Sequence, residues 1–222
     1  KSFTDDLNGS LTTVSFMGVT TTYTYDYDNR LVSYAKGSVS AAYTYDYLGR
    51  RVTKEIGGGS NTTYVYDGDN VIAEYDDTGT LRARYVHGPG VDEPIRIEQN
   101  GTLCYYHFDG LGSVTDLSNR IGENVEHYYY LPFGQTRIYD PDTGVRIWHS
   151  AYSNPYRFTS RRWDGESSLY YYRARMYDAG LGRFLQRDPV GYDAGDMNLY
   201  RYCGNNALNI RDSFGKCWLK IP

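Results

Sequence analysis

Three histidines, His87, His107 and His127, recur at intervals of twenty residues. Imidazoles at that spacing could stack on neighbouring strands and ligate a transition metal. The same interval separates the strand-and-turn repeats described below, so inheritance of the repeat explains it and no metal site is assigned. Asp140-Pro141-Asp142-Thr143-Gly144 begins like a calcium loop but lacks the distal Glu of an EF-hand, so a plain turn is expected there. Arg161-Arg162-Trp163-Asp164 could form a basic-aromatic surface patch or a buried cluster of cations, ring and acid. Cys104, Cys203 and Cys217 are too few for a disulfide framework and lack the close spacing of a zinc site. No cofactor is implied.

These residues must be positioned by β-structure. The 222 residues include 26 Tyr and 24 Gly but only 7 Pro. Tyr and Thr favour pleated, half-buried surfaces, and Gly, Asn and Asp supply the turns between them. The segment Tyr23-Thr24-Tyr25-Asp26-Tyr27-Asp28-Asn29-Arg30 returns as Tyr43-Thr44-Tyr45-Asp46-Tyr47-Leu48-Gly49-Arg50, with a weaker echo at Tyr64-Val65-Tyr66-Asp67-Gly68-Asp69-Asn70. In each copy alternate tyrosines share one strand face and the run stops at a turn, giving one hairpin per repeat. The tyrosines are expected to stack across neighbouring strands as aromatic ladders, with Tyr23, Tyr25, Tyr43 and Tyr45 in register; a sugar-binding aromatic platform is the alternative. Asn100-Gly101 marks another hairpin. No long window carries a 3.6-residue apolar period, so helices should be few and short.

The net charge of −4 gives no global attraction to nucleic acid, and no nucleic-acid partner is expected. No apolar stretch approaches the roughly 20 residues that span a bilayer, so no membrane insertion is expected. A chain that starts at Lys1 reads as a piece of a longer polypeptide. Nothing marks a linker, so one continuous all-β, antiparallel structural domain is expected.

The C-terminal part is more specific. It runs Asn154-Pro155-Tyr156-Arg157-Phe158, Arg161-Arg162-Trp163-Asp164-Gly165-Glu166, Leu169-Tyr170-Tyr171-Tyr172-Arg173-Ala174-Arg175-Met176-Tyr177-Asp178, Gly182-Arg183-Phe184-Leu185-Gln186-Arg187-Asp188-Pro189-Val190-Gly191, Asn198-Leu199-Tyr200-Arg201-Tyr202 and Asp212-Ser213-Phe214-Gly215. This ordered succession resembles the RHS-repeat-associated core of bacterial polymorphic toxins, of the C components of insecticidal toxin complexes and, more distantly, of teneurins. Gly110-Leu111-Gly112-Ser113-Val114 and Leu131-Pro132-Phe133-Gly134 also resemble the family's signatures, so the resemblance covers most of the chain. It implies that residues 1–150 are YD-repeat hairpins, part of a spiralling β-shell. It also implies that residues 151–222 are the associated core, ending in an inward plug. Within that block the Arg161–Asp164 run reads as a buried cation–π and ion-pair cluster that closes the shell. The implied localisation is secreted or on a bacterial cell surface, and the implied partners are upstream repeats and a C-terminal cargo of the parent polypeptide.

The resemblance further implies an aspartyl autoprotease. Its first acid maps onto Asp188, its second onto Asp212 and its supporting Arg onto Arg175, with the cleavage junction between Lys216 and Cys217. Two carboxylates held close together cannot both ionise cheaply and share a proton, so one can activate a water while its protonated partner polarises the scissile carbonyl. Tethering of the target peptide lets even a slow site cut once. Here Ser213 stands where the family has Pro, and Lys216 where it has Leu, so slow cleavage is expected. The rival reading is a non-catalytic adhesion or fibre-forming interaction module, self-associating through strand edges, in which the aspartates only cap turns.

Overall fold

The computed structural model describes residues 1–216 and the strand Leu219–Lys220. Fifteen strands, from Ser2–Asp5 to Arg146–Ile147, form one sheet in strict sequence order, each antiparallel to the next. No α-helix occurs among the described residues, which hold three short 3-10 turns at Phe158–Ser160, Gly191–Ala194 and Cys203–Asn205. The all-β, antiparallel expectation is met. Sheet order follows from the turns: each hairpin is closed by a few residues, and short closure leaves no alternative but the adjacent edge.

The repeat has a physical basis in its tyrosine, aspartate and arginine. Val19–Tyr25 and Val39–Tyr45 alternate identically, burying Tyr23 and Tyr43 on one face. The second tyrosine follows a register shift, after Thr24 and after Thr44, and its hydroxyl donates to a carbonyl of the preceding hairpin. Tyr25 reaches Leu11 O at 2.7 Å, Tyr45 reaches Leu31 O at 2.7 Å and Tyr66 reaches Arg51 O at 2.8 Å. Asp26 and Asp46 each accept the backbone N–H and the Nε of Arg30 and Arg50 across the turn. Each arginine then lies over the next copy's tyrosine, Arg30 over Tyr45 at 5.0 Å and Arg50 over Tyr66 at 4.9 Å.

The aromatic register differs from the expected ladder. Each repeat spans two strands, so Tyr23 and Tyr43 lie on alternate rather than neighbouring strands. Tyr34, on the strand between, packs against Tyr23 at 5.8 Å instead. Tyr45 carries the Arg30 guanidinium on its ring.

The buried face of the sheet is covered by the C-terminal part of the same chain, which adds a four-stranded antiparallel sheet, Arg162–Asp164, Leu169–Tyr172, Arg175–Asp178 and Arg183–Phe184. Leu169, Tyr171, Met176 and Leu185 share one core with Leu11, Leu31, Tyr34 and Tyr43 of the first repeats. Tyr156 closes a second core over the later strands. Arg161, Arg162 and Asp164 are buried and paired with strands of the large sheet or a loop between them: Asp164 with Arg51 at 2.5 Å, Arg162 with Glu74, and Arg161 with the loop residue Asp92 at 2.5 Å. The buried reading of that run holds, and the surface-patch reading does not. The Asp140 carboxylate accepts from Thr143 N at 2.8 Å and closes a turn. His107 bonds Ser118 and His127 contacts Asp116, each across to the neighbouring strand.

Candidate functional site: an arginine between two aspartates

The hairpin of Leu169–Tyr172 and Arg175–Asp178 turns at Arg173, which has φ 59, so the alternate residues Arg173 and Arg175 emerge at the turn beside the chain's last described loop. Three successive residues of this hairpin hold three successive carbonyls of that loop. Arg173 Nη1 donates to Ser213 O, Ala174 N to Phe214 O at 3.3 Å, and Arg175 Nε to Gly215 O at 2.6 Å. Gly215 has φ +65 and runs so close to Tyr172 O that no side chain fits there.

Arg175 is the centre. Its side chain is 2% exposed and its guanidinium lies 3.7 Å from the centroid of the Phe184 ring. One nitrogen, Nη2, contacts Asp188 Oδ2 at 2.9 Å and Asp212 Oδ2 at 3.2 Å. The two oxygens can therefore be no further apart than the sum of those lengths, although two 3-10 turns and the short strand Ile210–Arg211 separate the residues in sequence. Arg175 Nη1 donates to Leu199 O at 3.1 Å, the same carbonyl that accepts Asp188 N at 2.8 Å. Asp188 Oδ1 accepts Val190 N at 2.9 Å in the Asp-Pro turn. Asp212 Oδ1 accepts Phe214 N at 3.3 Å and Lys216 N at 3.2 Å. Both aspartates thus act in turns and also converge on one cation.

Burial sets their protonation. It pushes both carboxyl groups above the usual carboxylate range; Arg175 opposes this at each, and at Asp212 the charge of Asp188 adds to the rise. Burial likewise lowers Arg175 from its ordinary value, against the pull of both aspartates. Burial at both carboxyls, and the Asp188 charge at Asp212, thus favour the protonated form.

The structure brings Asp188, Asp212 and Arg175 together. Lys216 is exposed, and only its backbone N–H enters the site; Cys217, the far side of the expected junction, lies outside the described residues. Sequence reasoning misses Arg173 and Asp92. Arg173 carries a usable signal, its i+2 spacing to Arg175 at a hairpin turn. Asp92 has none, because it sits in an irregular loop, with φ 60, where no periodicity operates.

No protein-family model matches the sequence. The tRNA3(Ser)-specific nuclease WapA of Bacillus spizizenii is 30% identical over 209 residues, which is 90% of this chain and 9% of that protein. Toxin subunit YenC1 of Yersinia entomophaga is 26% identical over 145 residues, 65% of this chain and 14% of the subunit. The Photorhabdus luminescens Tc holotoxin pore superposes with a TM-score of 0.65 at 21% identity, over 96% of this chain and 11% of that one. The chain carries the Tc-toxin shell fold. It is also similar in sequence to the WapA nuclease and to toxin subunit YenC1, and it spans a small fraction of the length of each. The spiralling β-shell with an inward C-terminal plug, which the resemblance to RHS cores implies, is this fold.

Proposed function

We propose that the chain is the closing segment of an RHS core. In this reading it is a scaffold that seals the end of a β-shell and separates a C-terminal cargo from it by a single intramolecular cut, in a protein secreted by, or displayed on, a bacterium. The observation that carries the cleavage reading is the shared Nη2 of Arg175, which gathers Asp188 and Asp212, both with raised pKa, beside the backbone N–H of Lys216. In the reaction, the ionised member of the pair takes a proton from water as the oxygen attacks the Lys216 carbonyl carbon. The protonated member donates to the carbonyl oxygen; the proton taken from water then passes to the Cys217 nitrogen as the gem-diol collapses, the C–N bond breaks, a diol proton returns to the pair, and the nitrogen leaves as an amine. Arg175 touches both acids and so positions them, and its bond to Gly215 O fixes the approaching strand. Upstream repeats would extend the sheet at Ser2–Asp5, an edge strand with every residue exposed.

That same edge favours a second reading, a non-catalytic module that self-associates by strand pairing, with Arg175 neutralising two structural turns. Intact-mass measurement of the purified chain at neutral and mildly acidic pH separates the two. The cleavage reading expects slow appearance of a species ending at Lys216, and its suppression by Asp188→Asn. A fragment ending elsewhere, or one formed equally well by Asp188→Asn, leaves only the scaffold.

A further inference from the structure

A cavity of about 370 Å³ opens between the large sheet and the plug hairpin. It is independent of the cleavage reading, although Pro189 and Lys216 reach its rim. Six Arg and Lys side chains line it against three Asp. At the mouth, Arg30 and Arg50 are neutralised within their own turns by Asp26 and Asp46. Deeper in, the balance fails. Arg161 and Arg173 share a single carboxylate, Asp92, at 2.5 and 2.9 Å, while Glu74 is taken by Arg162.

Unmet hydrogen-bonding groups collect at the same place. Arg173 Nε, Arg162 Nη1 and His87 Nδ1 are buried without a partner among the described residues, and all three residues line the cavity. His87 Nε2 lies 2.9 Å from Val71 O, an atom that only accepts, so Nε2 carries the ring proton and Nδ1 is bare in the neutral ring. Burial lowers the His87 pKa; Arg162 and Arg173 lower it further, and Asp92 and the Val71 carbonyl oppose them. The rings of Tyr85 and Tyr156 pack on the imidazole. Excess guanidinium charge with free N–H groups, in a cavity of ligand size, is the complement of a missing anion.

We propose that this cavity is a binding site for a small oxyanion, a carboxylate or phosphate group gripped by Arg173, with Arg162 and His87 beside it. The oxyanion comes either free from solution or from an acidic side chain of the parent polypeptide. An anion there supplies the counter-charge that Asp92 cannot give to two arginines, and it favours the protonated His87 ring, whose Nδ1 then donates to it. Since Arg173 also holds Ser213 O, the bound anion braces the loop that carries Asp212.

Calorimetric titration of the chain with inorganic phosphate and with citrate, in chloride of constant ionic strength at pH 6 and pH 8, tests this. Saturable one-to-one binding with a dissociation constant on the order of 1 mM or tighter is expected for at least one anion. It should strengthen at the lower pH as His87 takes up its proton. Arg173→Gln and His87→Gln should each weaken it about tenfold. If Arg173→Gln does not fold, Lys216→Gln at the exposed rim and His87→Gln carry the comparison. In a longer piece of the parent polypeptide, retained phosphate or citrate binding assigns a free anion, and its loss assigns an internal acidic side chain. Absence of saturable binding by both anions to the chain, or affinity unchanged in every folded variant, overturns the proposal.

Discussion

Arg175 Nε donates to the Gly215 carbonyl at 2.6 Å, a contact between residues forty positions apart that seats the loop of the second aspartate on the plug hairpin. It depends on a residue without a side chain, because Gly215 has φ +65 and an added Cβ would meet Tyr172 O. Gly215→Ala is expected to cost at least about 1–2 kcal/mol from the left-handed backbone alone. For a chain of this size each kcal/mol lowers Tm by roughly 2–4 °C, which calorimetry can read. A Tm equal to that of the parent chain would mean the loop does not run where the structure has it.

Asp164 holds the plug to the repeats. Its carboxylate takes both terminal nitrogens of Arg51, at 2.5 and 2.9 Å, and Lys54 approaches at 3.3 Å. Both partners of the main pair are 1% exposed. Asp164→Ala leaves Arg51 buried among Tyr43, Tyr64 and Tyr171 with no carboxylate on its fork, so a loss of about 3–5 kcal/mol in denaturant unfolding is expected. A loss below about 1 kcal/mol, as for an exposed pair, would contradict the buried geometry.

Tyr45→Phe removes a hydroxyl that donates to Leu31 O at 2.7 Å and keeps the ring under Arg30. The expected cost is about 0.5–1.5 kcal/mol. Tyr25→Phe should cost the same, since its bond to Leu11 O has the same length and repeat position. Unequal losses in denaturant unfolding would argue against a shared repeat function for the second tyrosine.

The two acidic sites respond oppositely to pH. Burial raises the Asp188 and Asp212 pKa values, so their contribution to stability is full below the ordinary carboxylate value of about 4 and is lost as pH rises through the raised values. For Asp164 burial alone would raise the pKa, but Arg51 and Lys54 outweigh it and hold it low, so its contribution is present at neutral pH and is lost as pH falls. Asp212→Asn should therefore compare better with the parent chain at pH 7 than at pH 4, and Asp164→Asn worse. Thermal melts of the three proteins across that range check the crossing.

The sheet was legible because its determinants are local. Tyr alternation, Asp-to-Arg turn closure and the twenty-residue recurrence all operate within one hairpin. The stacking partners were not legible, since a two-strand repeat puts the strand of Tyr34 between the copies, and Tyr34 rather than Tyr43 meets Tyr23. The site was legible as far as its motif residues, Arg175, Asp188 and Asp212. Asp92 was hidden because its role comes from meeting Arg161 and Arg173 across the interior, a relationship of tertiary position with no local pattern.

The central claim is that Asp188 and Asp212 form a cleavage pair whose output is limited by the residues around the junction. Ser213→Pro together with Lys216→Leu puts at these two positions the residues of the RHS cores that the sequence resembles. The first change also removes the Ser213 hydroxyl, buried without a partner among the described residues. Intact mass of this double variant, followed over time, should show loss of the tail beyond residue 216 faster than in the parent chain, and adding Asp188→Asn should abolish the loss. A double variant that stays intact over days with its fold unchanged would contradict the claim.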